Sequence, residues 1–152
     1  MHLIAHRGNI EGPNPKWENH PDYIQEALDA GYDVEIDLWR VGYGPMRLGH
    51  DGPQYDLPYK LTHRPGLWLH CKNIYALRTV QYWAPSGLNY FFHENDPCVI
   101  TSLGYIWTSP GQELTDNSIC VLPEIQEDIE HRLPVVAGIC SDFIGRYNAK
   151  RT

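Results

Sequence analysis

Asp33-Val34-Glu35-Ile36-Asp37-Leu38 alternates without a break, so Val34, Ile36 and Leu38 share one face of a strand while Glu35 and Asp37 share the other. Upstream, His2 to His6 forms another short apolar run, and a helix separates the two. Asn19 or His20 caps that helix, Pro21 sits in its first turn, Ile24, Ala27 and Leu28 line one side, and Gly31 follows its end. A strand, a helix and a second strand in succession predict parallel pairing.

Working outward, six further runs bounded by Gly, Pro or polar clusters predict strands at Pro45 to His50, Leu67 to Lys72, Tyr90 to His93, Cys98 to Ile100, Ile119 to Leu122 and Val135 to Cys140. A second helix is expected from Ile74 to Tyr82, before Pro85, and a weaker third from Pro123 to Glu130. Eight strands with helices between them suggest a (β/α)8 barrel. The 152 residues shared among eight strands leave about 19 per unit, against roughly 31 in an ordinary barrel. The expected fold is therefore a single α/β domain over residues 1–152, a compact, degenerate (β/α)8 TIM barrel with several outer helices shortened or missing. An open parallel sheet, or a half-barrel completed by a second copy in a homodimer, is the alternative.

Two carboxylates on one face near a strand's C-terminal end repel each other unless a cation neutralises them. Glu35 and Asp37 thus predict a site for a hard divalent ion, Mg²⁺ or Ca²⁺, the other reading being a solvent-facing edge strand. The same parity places His70 and Lys72 on one face, opposite Leu67, Leu69 and Cys71. His6 and Arg7 end the first strand, His50 and Asp51 the third, and His93, Glu94 and Asp96 follow the fifth. In parallel barrels such ends converge on the active site. The set offers His6 and His50 as acid/base groups, Glu35, Asp37 and His70 as metal ligands, and Arg7 and Lys72 as permanent cations. Cations and a metal together make a clamp for a phosphate, and two histidines on either side of it suit phosphodiester chemistry. Trp39 shares parity with Glu35 and Asp37, and Trp107, after the sixth strand, is a candidate for stacking on a polyol or sugar.

Composition narrows the partners. Twelve Lys and Arg against 19 Asp and Glu give a formal charge of -7, with no basic run beyond Lys150-Arg151, which argues against electrostatic nucleic-acid binding. No apolar stretch approaches a membrane span, and polar His6-Arg7 comes too early for a secretion signal, so a cytoplasmic protein without membrane insertion is expected. Cys71, Cys98, Cys120 and Cys140 make no CxxC pair and are expected to be buried thiols.

Taken in order, His6-Arg7-Gly8, Glu18-Asn19, the helix ending Ala27-Leu28-Asp29-Ala30-Gly31, Asp33-Val34-Glu35-Ile36-Asp37 and Gly49-His50-Asp51 closely resemble the opening of the glycerophosphodiester phosphodiesterase family. The resemblance implies a barrel akin to that of phosphoinositide-specific phospholipases C and a divalent cation. It also implies His6 and His50 as the acid/base pair, Arg7 on the phosphate, and Glu35 and Asp37 as metal ligands. Leu67 to Lys72 is similar to the family's fourth-strand segment, with Lys72 matching and His70 standing where the family carries a metal-binding Glu. Asp142 fits loosely with an acidic residue after the family's last strand. An imidazole in place of a carboxylate moves ion preference toward Mn²⁺ or Zn²⁺. Alternatively His70 contacts substrate, and Glu94 or Asp96 completes the shell. The expected activity is metal-dependent hydrolysis of a small phosphodiester carrying glycerol or a polyol. A cyclising lyase on the same site and a non-catalytic module that binds a phosphorylated sugar or headgroup are the alternatives.

Overall fold

A computed structural model describes residues 1–83 and 87–150. Its strands are β1 (His2–His6), β2 (Asp33–Arg40), β3 (Met46–Leu48), β4 (Tyr55–Asp56), β5 (Leu67–Cys71), β6 (Asn89–Phe92), β7 (Cys98–Ile100), β8 (Ile106–Thr108), β9 (Ser118–Val121) and β10 (Gly138–Ser141). The helices are α1 (Pro21–Asp29), α2 (Tyr59–Thr62) and α3 (Ile74–Trp83). Among the described residues, no helix is long and apolar enough to cross a membrane.

Seven strands run parallel in the order β6-β5-β2-β1-β10-β9-β8. Antiparallel β7 extends one end from β8, and the β3–β4 hairpin takes up the part of β2 that β1 leaves unpaired. Pro45 to His50 therefore belongs to a hairpin and not to the parallel set. Its alternation fits either direction of pairing, and a connection of a few residues after β2 permits only the antiparallel one. Ile106–Thr108 supplies a parallel strand instead. The expected third helix shortens to a 3-10 turn at Pro123–Ile125, and residues before Gly138 form another at Leu133–Val135 rather than strand.

The sheet is strongly curled. β6 and β8 lie six places apart, about 29 Å in a flat sheet at ~4.8 Å per strand, yet the rings of Phe91 and Trp107 stack with centroids 4.5 Å apart. The turn after β7 also reaches β6, where the Ser102 N–H donates to the Tyr90 carbonyl. The overall architecture is mixed α/β, with a curled, mostly parallel sheet and few helices.

Curling divides the core in two. Val34, Ile36, Leu38, Leu3, Ala5, Leu67 and Leu69 point outward against Ile24, Ala27 and Leu28 of α1 and Ala76 and Val80 of α3. Inside, Ile4, Trp68, Phe91, Trp107, Ile119, Val121 and Cys140 pack against one another. Gly138 is needed there, because a Cβ would come within 2.8 Å of both His2 Cβ and Ile119 Cδ1. Cys71, Cys120 and Cys140 are buried, whereas Cys98 on edge strand β7 is exposed, contrary to the expectation of four buried thiols.

Candidate metal centre and its surroundings

Pairing register decides which polar side chains meet. His6 is registered with Glu35, and Asp37 with His70, so the inward parity of β1, β2 and β5 brings all four together at the C-terminal end of the parallel strands. One donor atom each from Glu35, Asp37 and His70 lies within 4.8 Å of the others, a cluster able to hold a metal ion. Both carboxylates are 1% exposed.

Four donors of the chain meet Asp37. Its Oδ2 accepts from Asn19 Nδ2 at 2.9 Å and pairs with Arg7 Nε at 3.2 Å, while Oδ1 lies 3.2 Å from His70 Nδ1 and 3.4 Å from Lys72 Nζ. Burial would raise the Asp37 pKa, but His70, Lys72 and Arg7 together hold it well below the usual carboxylate range. Asn19 closes the clamp from the other side, its Oδ1 accepting the Asp37 backbone N–H at 2.9 Å. Asn19 is fully buried in a left-handed conformation, φ 62°, and Arg7 is likewise left-handed at φ 53°. Strain in two adjacent non-glycine residues is sustained by the contacts they make here: the Asn19 N–H donates to the Arg7 carbonyl, and the Arg7 N–H to the Glu35 carbonyl.

His70 is fixed on every side. Its Nδ1 faces Asp37 and, at 3.7 Å, Glu35 Oε1, while its Nε2 donates to the His93 carbonyl at 3.3 Å. The ring stacks on His93 at 4.5 Å and 1° and on Phe91 at 5.1 Å. Burial works against its charge, yet the two carboxylates outweigh burial and push the pKa up to about 9. The donor set fits a divalent cation. Two hard oxygens and Nδ1 converge, and an imidazole whose other nitrogen is held by a carbonyl has the supporting contact typical of a metal-bound histidine.

His6 adjoins this cluster. Its Nδ1 lies 2.8 Å from Asp142 Oδ1, leaving Nε2 with only Glu35 Oε2 at 3.9 Å, beyond hydrogen-bond reach. Burial lowers the His6 pKa, but Asp142 and Glu35 raise it by more, so the net shift is upward. Asp142 is itself held by Asn9 Nδ2 at 2.8 Å and, through its backbone N–H, by Glu124 Oε1 at 2.8 Å. Glu18 joins Arg7 Nη1 at 3.2 Å to Asn9 Nδ2 at 3.0 Å.

His50 sits on the turn after β3, with its Nδ1 2.8 Å from Asp51 Oδ1. That turn is tight because Gly49, at φ 149°, packs so closely over Gly52 that a Cβ could not be accommodated. The Trp39 Nε1–H donates to the Gly49 carbonyl at 2.6 Å, so Trp39 buttresses the turn instead of roofing the centre. His50 shares a small cleft with Arg7, Glu18, Asn19 and Gln54.

Of the residues singled out in the sequence, His6, Arg7, Glu35, Asp37, His70 and Lys72 form one connected cluster, and His50 stands at its rim. Trp107 does not belong with them. It lies within β8, 4% exposed and stacked on Phe91, where it fills the interior and offers no face to a sugar. Glu94 and Asp96 are exposed, and Asp96 Oδ2 accepts the Glu94 N–H, so neither completes the donor cluster. Sequence reasoning gave no role to Asn9 or Glu124 and offered Asn19 only as a helix cap, a place that His20 takes. Asn19, next to Glu18 in the quoted motif, carried the only signal among them. No protein-family model, curated protein or solved structure matches this chain.

Proposed function

We propose that this chain is a metal-dependent phosphodiesterase acting on a small diester with glycerol or a polyol on one side, built on a shortened variant of the (β/α)8 barrel. The observation that carries the proposal is the meeting of Glu35, Asp37 and His70 with an imidazole, His6, and two cations, Arg7 and Lys72, at the C-terminal end of seven parallel strands. That end is where parallel barrels carry their chemistry.

Glu35, Asp37 and His70 would hold the ion, which when bound supplies Lewis-acid stabilisation of charge on the phosphoryl oxygens. The nitrogen donor shifts preference from Mg²⁺ and Ca²⁺ toward Mn²⁺ or Zn²⁺. Arg7 and Lys72 bind the phosphate's remaining charge. His6, held at Nδ1 by Asp142 and with its pKa raised above the ordinary value, donates its Nε2 proton to the leaving alcohol as the P–O bond breaks. His50, at the mouth of the cleft, takes the proton from the attacking water or from a neighbouring glycerol hydroxyl.

The decisive experiment is turnover of a panel of glycerophosphodiesters in Mg²⁺, Ca²⁺, Mn²⁺ or EDTA, with His6→Ala as the blank. Metal-dependent release that vanishes in the blank is expected; no release with any substrate and ion overturns the hydrolase. Phosphorus NMR of the product separates a monoester from the persistent cyclic ester of a lyase. The full complement of donors on Asp37 favours one other function, a phosphate-binding module without turnover, in which His6→Ala would leave ligand affinity unchanged.

A further inference from the structure

Both oxygens of the Asp37 carboxylate already face donors of the chain. Asn19 Nδ2 donates to Oδ2 and Arg7 Nε stands 3.2 Å from it, while His70 Nδ1 and Lys72 Nζ stand 3.2 Å and 3.4 Å from Oδ1. An ion that coordinates Oδ1 would therefore lie close to the Lys72 ammonium, and like charges at that range repel.

The two donors are not equally held. His70 is stacked on His93 and Phe91 and anchored through Nε2, so its ring stays in place. Lys72 follows the end of β5, where only its backbone N–H is anchored, on the Leu38 carbonyl. Among the described residues its ammonium pairs with Asp37 alone, at the longest of the four distances, and rides on a flexible stem. Lys72 is therefore the donor that yields.

Resting on the metal-dependent reading above, we propose that Lys72 is handed over from Asp37 to the substrate phosphate when a divalent ion takes Asp37 Oδ1, so that metal binds first and phosphate second. Before the ion arrives, Lys72 neutralises Asp37 and is unavailable to an anion. Once the ion repels it, the ammonium swings away from Asp37 and contributes its charge to the phosphate. The same residue thus weakens metal binding and strengthens phosphate binding, and it couples the two.

The test measures Mn²⁺ affinity by electron paramagnetic resonance of free Mn²⁺, with and without inorganic phosphate, in the wild-type chain and in Lys72→Met. Linkage requires that phosphate and Mn²⁺ enhance each other by one common factor. In the wild type that factor is expected to be on the order of tenfold or more, within the range usual for coupled sites. In Lys72→Met, Mn²⁺ alone binds more tightly, and the factor falls to about threefold or less on the same scale. A lysine that merely sits near both ligands would shift each affinity and leave the factor unchanged, and that result overturns the hand-over while the metal site stands. Failure of the wild type to bind Mn²⁺ overturns the metal site and the hand-over together. Lys72→Gln, which keeps a polar head, serves in parallel, with circular dichroism showing that each variant is folded.

Discussion

Strand β1 carries two histidines four residues apart, each with a carboxylate 2.8 Å from Nδ1, and they do different things. His2 pairs with Asp33 at one end of the curled sheet, and His6 pairs with Asp142 at the other. Around His2 the second nitrogen is already engaged, 3.1 Å from the Tyr105 hydroxyl, and Trp68 Nε1–H donates to the same Asp33 oxygen at 3.2 Å. Aromatic edges from Trp68 and Tyr105 enclose the ring. Around His6, among the described residues, the second nitrogen has no hydrogen-bond partner within reach, and the neighbours are carboxylates and cations. A histidine paired with an aspartate is thus not a site in itself. What distinguishes the two poles is whether the distal nitrogen is spent on the protein or left for a reacting group.

The largest expected effect breaks the comparison at its active pole. His6→Ala should lower kcat by about 10²–10⁴-fold, the usual weight of a general acid or base, while His2→Ala leaves kcat of the folded protein unchanged; equal losses in a steady-state assay would erase the distinction. Next comes the pair of aspartates on β2. Asp37→Asn leaves Arg7, Lys72 and His70 facing a neutral amide in a buried place and is expected to destabilise the fold by about 3–5 kcal/mol, read from urea denaturation. Asp33→Asn, whose partners are a histidine and an indole, should cost about 1 kcal/mol.

A third prediction concerns pH. His70 has a pKa raised from its ordinary 6.5 to about 9, so its contribution to stability is fully present below pH 6.5 and is lost as pH rises through about 9. In EDTA, Tm should fall across that interval, and in His70→Gln the fall should be shallower. Mn²⁺ affinity should rise over the same range, since binding releases the Nδ1 proton; a flat affinity profile measured by calorimetry would remove His70 from the ligand set. At the quiet pole the effect is confined to stability. His2→Ala should lower stability by about 1–2 kcal/mol through the loss of its two hydrogen bonds, with metal affinity untouched.

The active pole was legible from sequence wherever a period of two sufficed. Glu35 with Asp37, and His70 with Lys72, share faces because alternate residues of a strand do, and the strand-helix-strand opening fixed their direction. Asp142 was much less legible, since its bond to His6 spans 136 residues and no local pattern reports a partner that distant. Asn19 escaped for another reason: its role depends on a left-handed backbone that only the contacts of Arg7 and Asp37 sustain. Trp107 misled because the run Ile106–Thr108 is short and follows a glycine turn, so it resembled a loop until its pairing with β9 placed the indole indoors.

The register of β1 between β2 and β10 has a consequence for biogenesis. Asp142 leaves the ribosome 136 residues after His6. At about 5–20 residues per second that is an interval of roughly 7 to 27 s. During it β1 can dock on β2 but presents its other edge, unpaired, to whatever strand is nearby. The nascent chain therefore carries an adhesive flank throughout that interval, and His6 is set in place only when it closes.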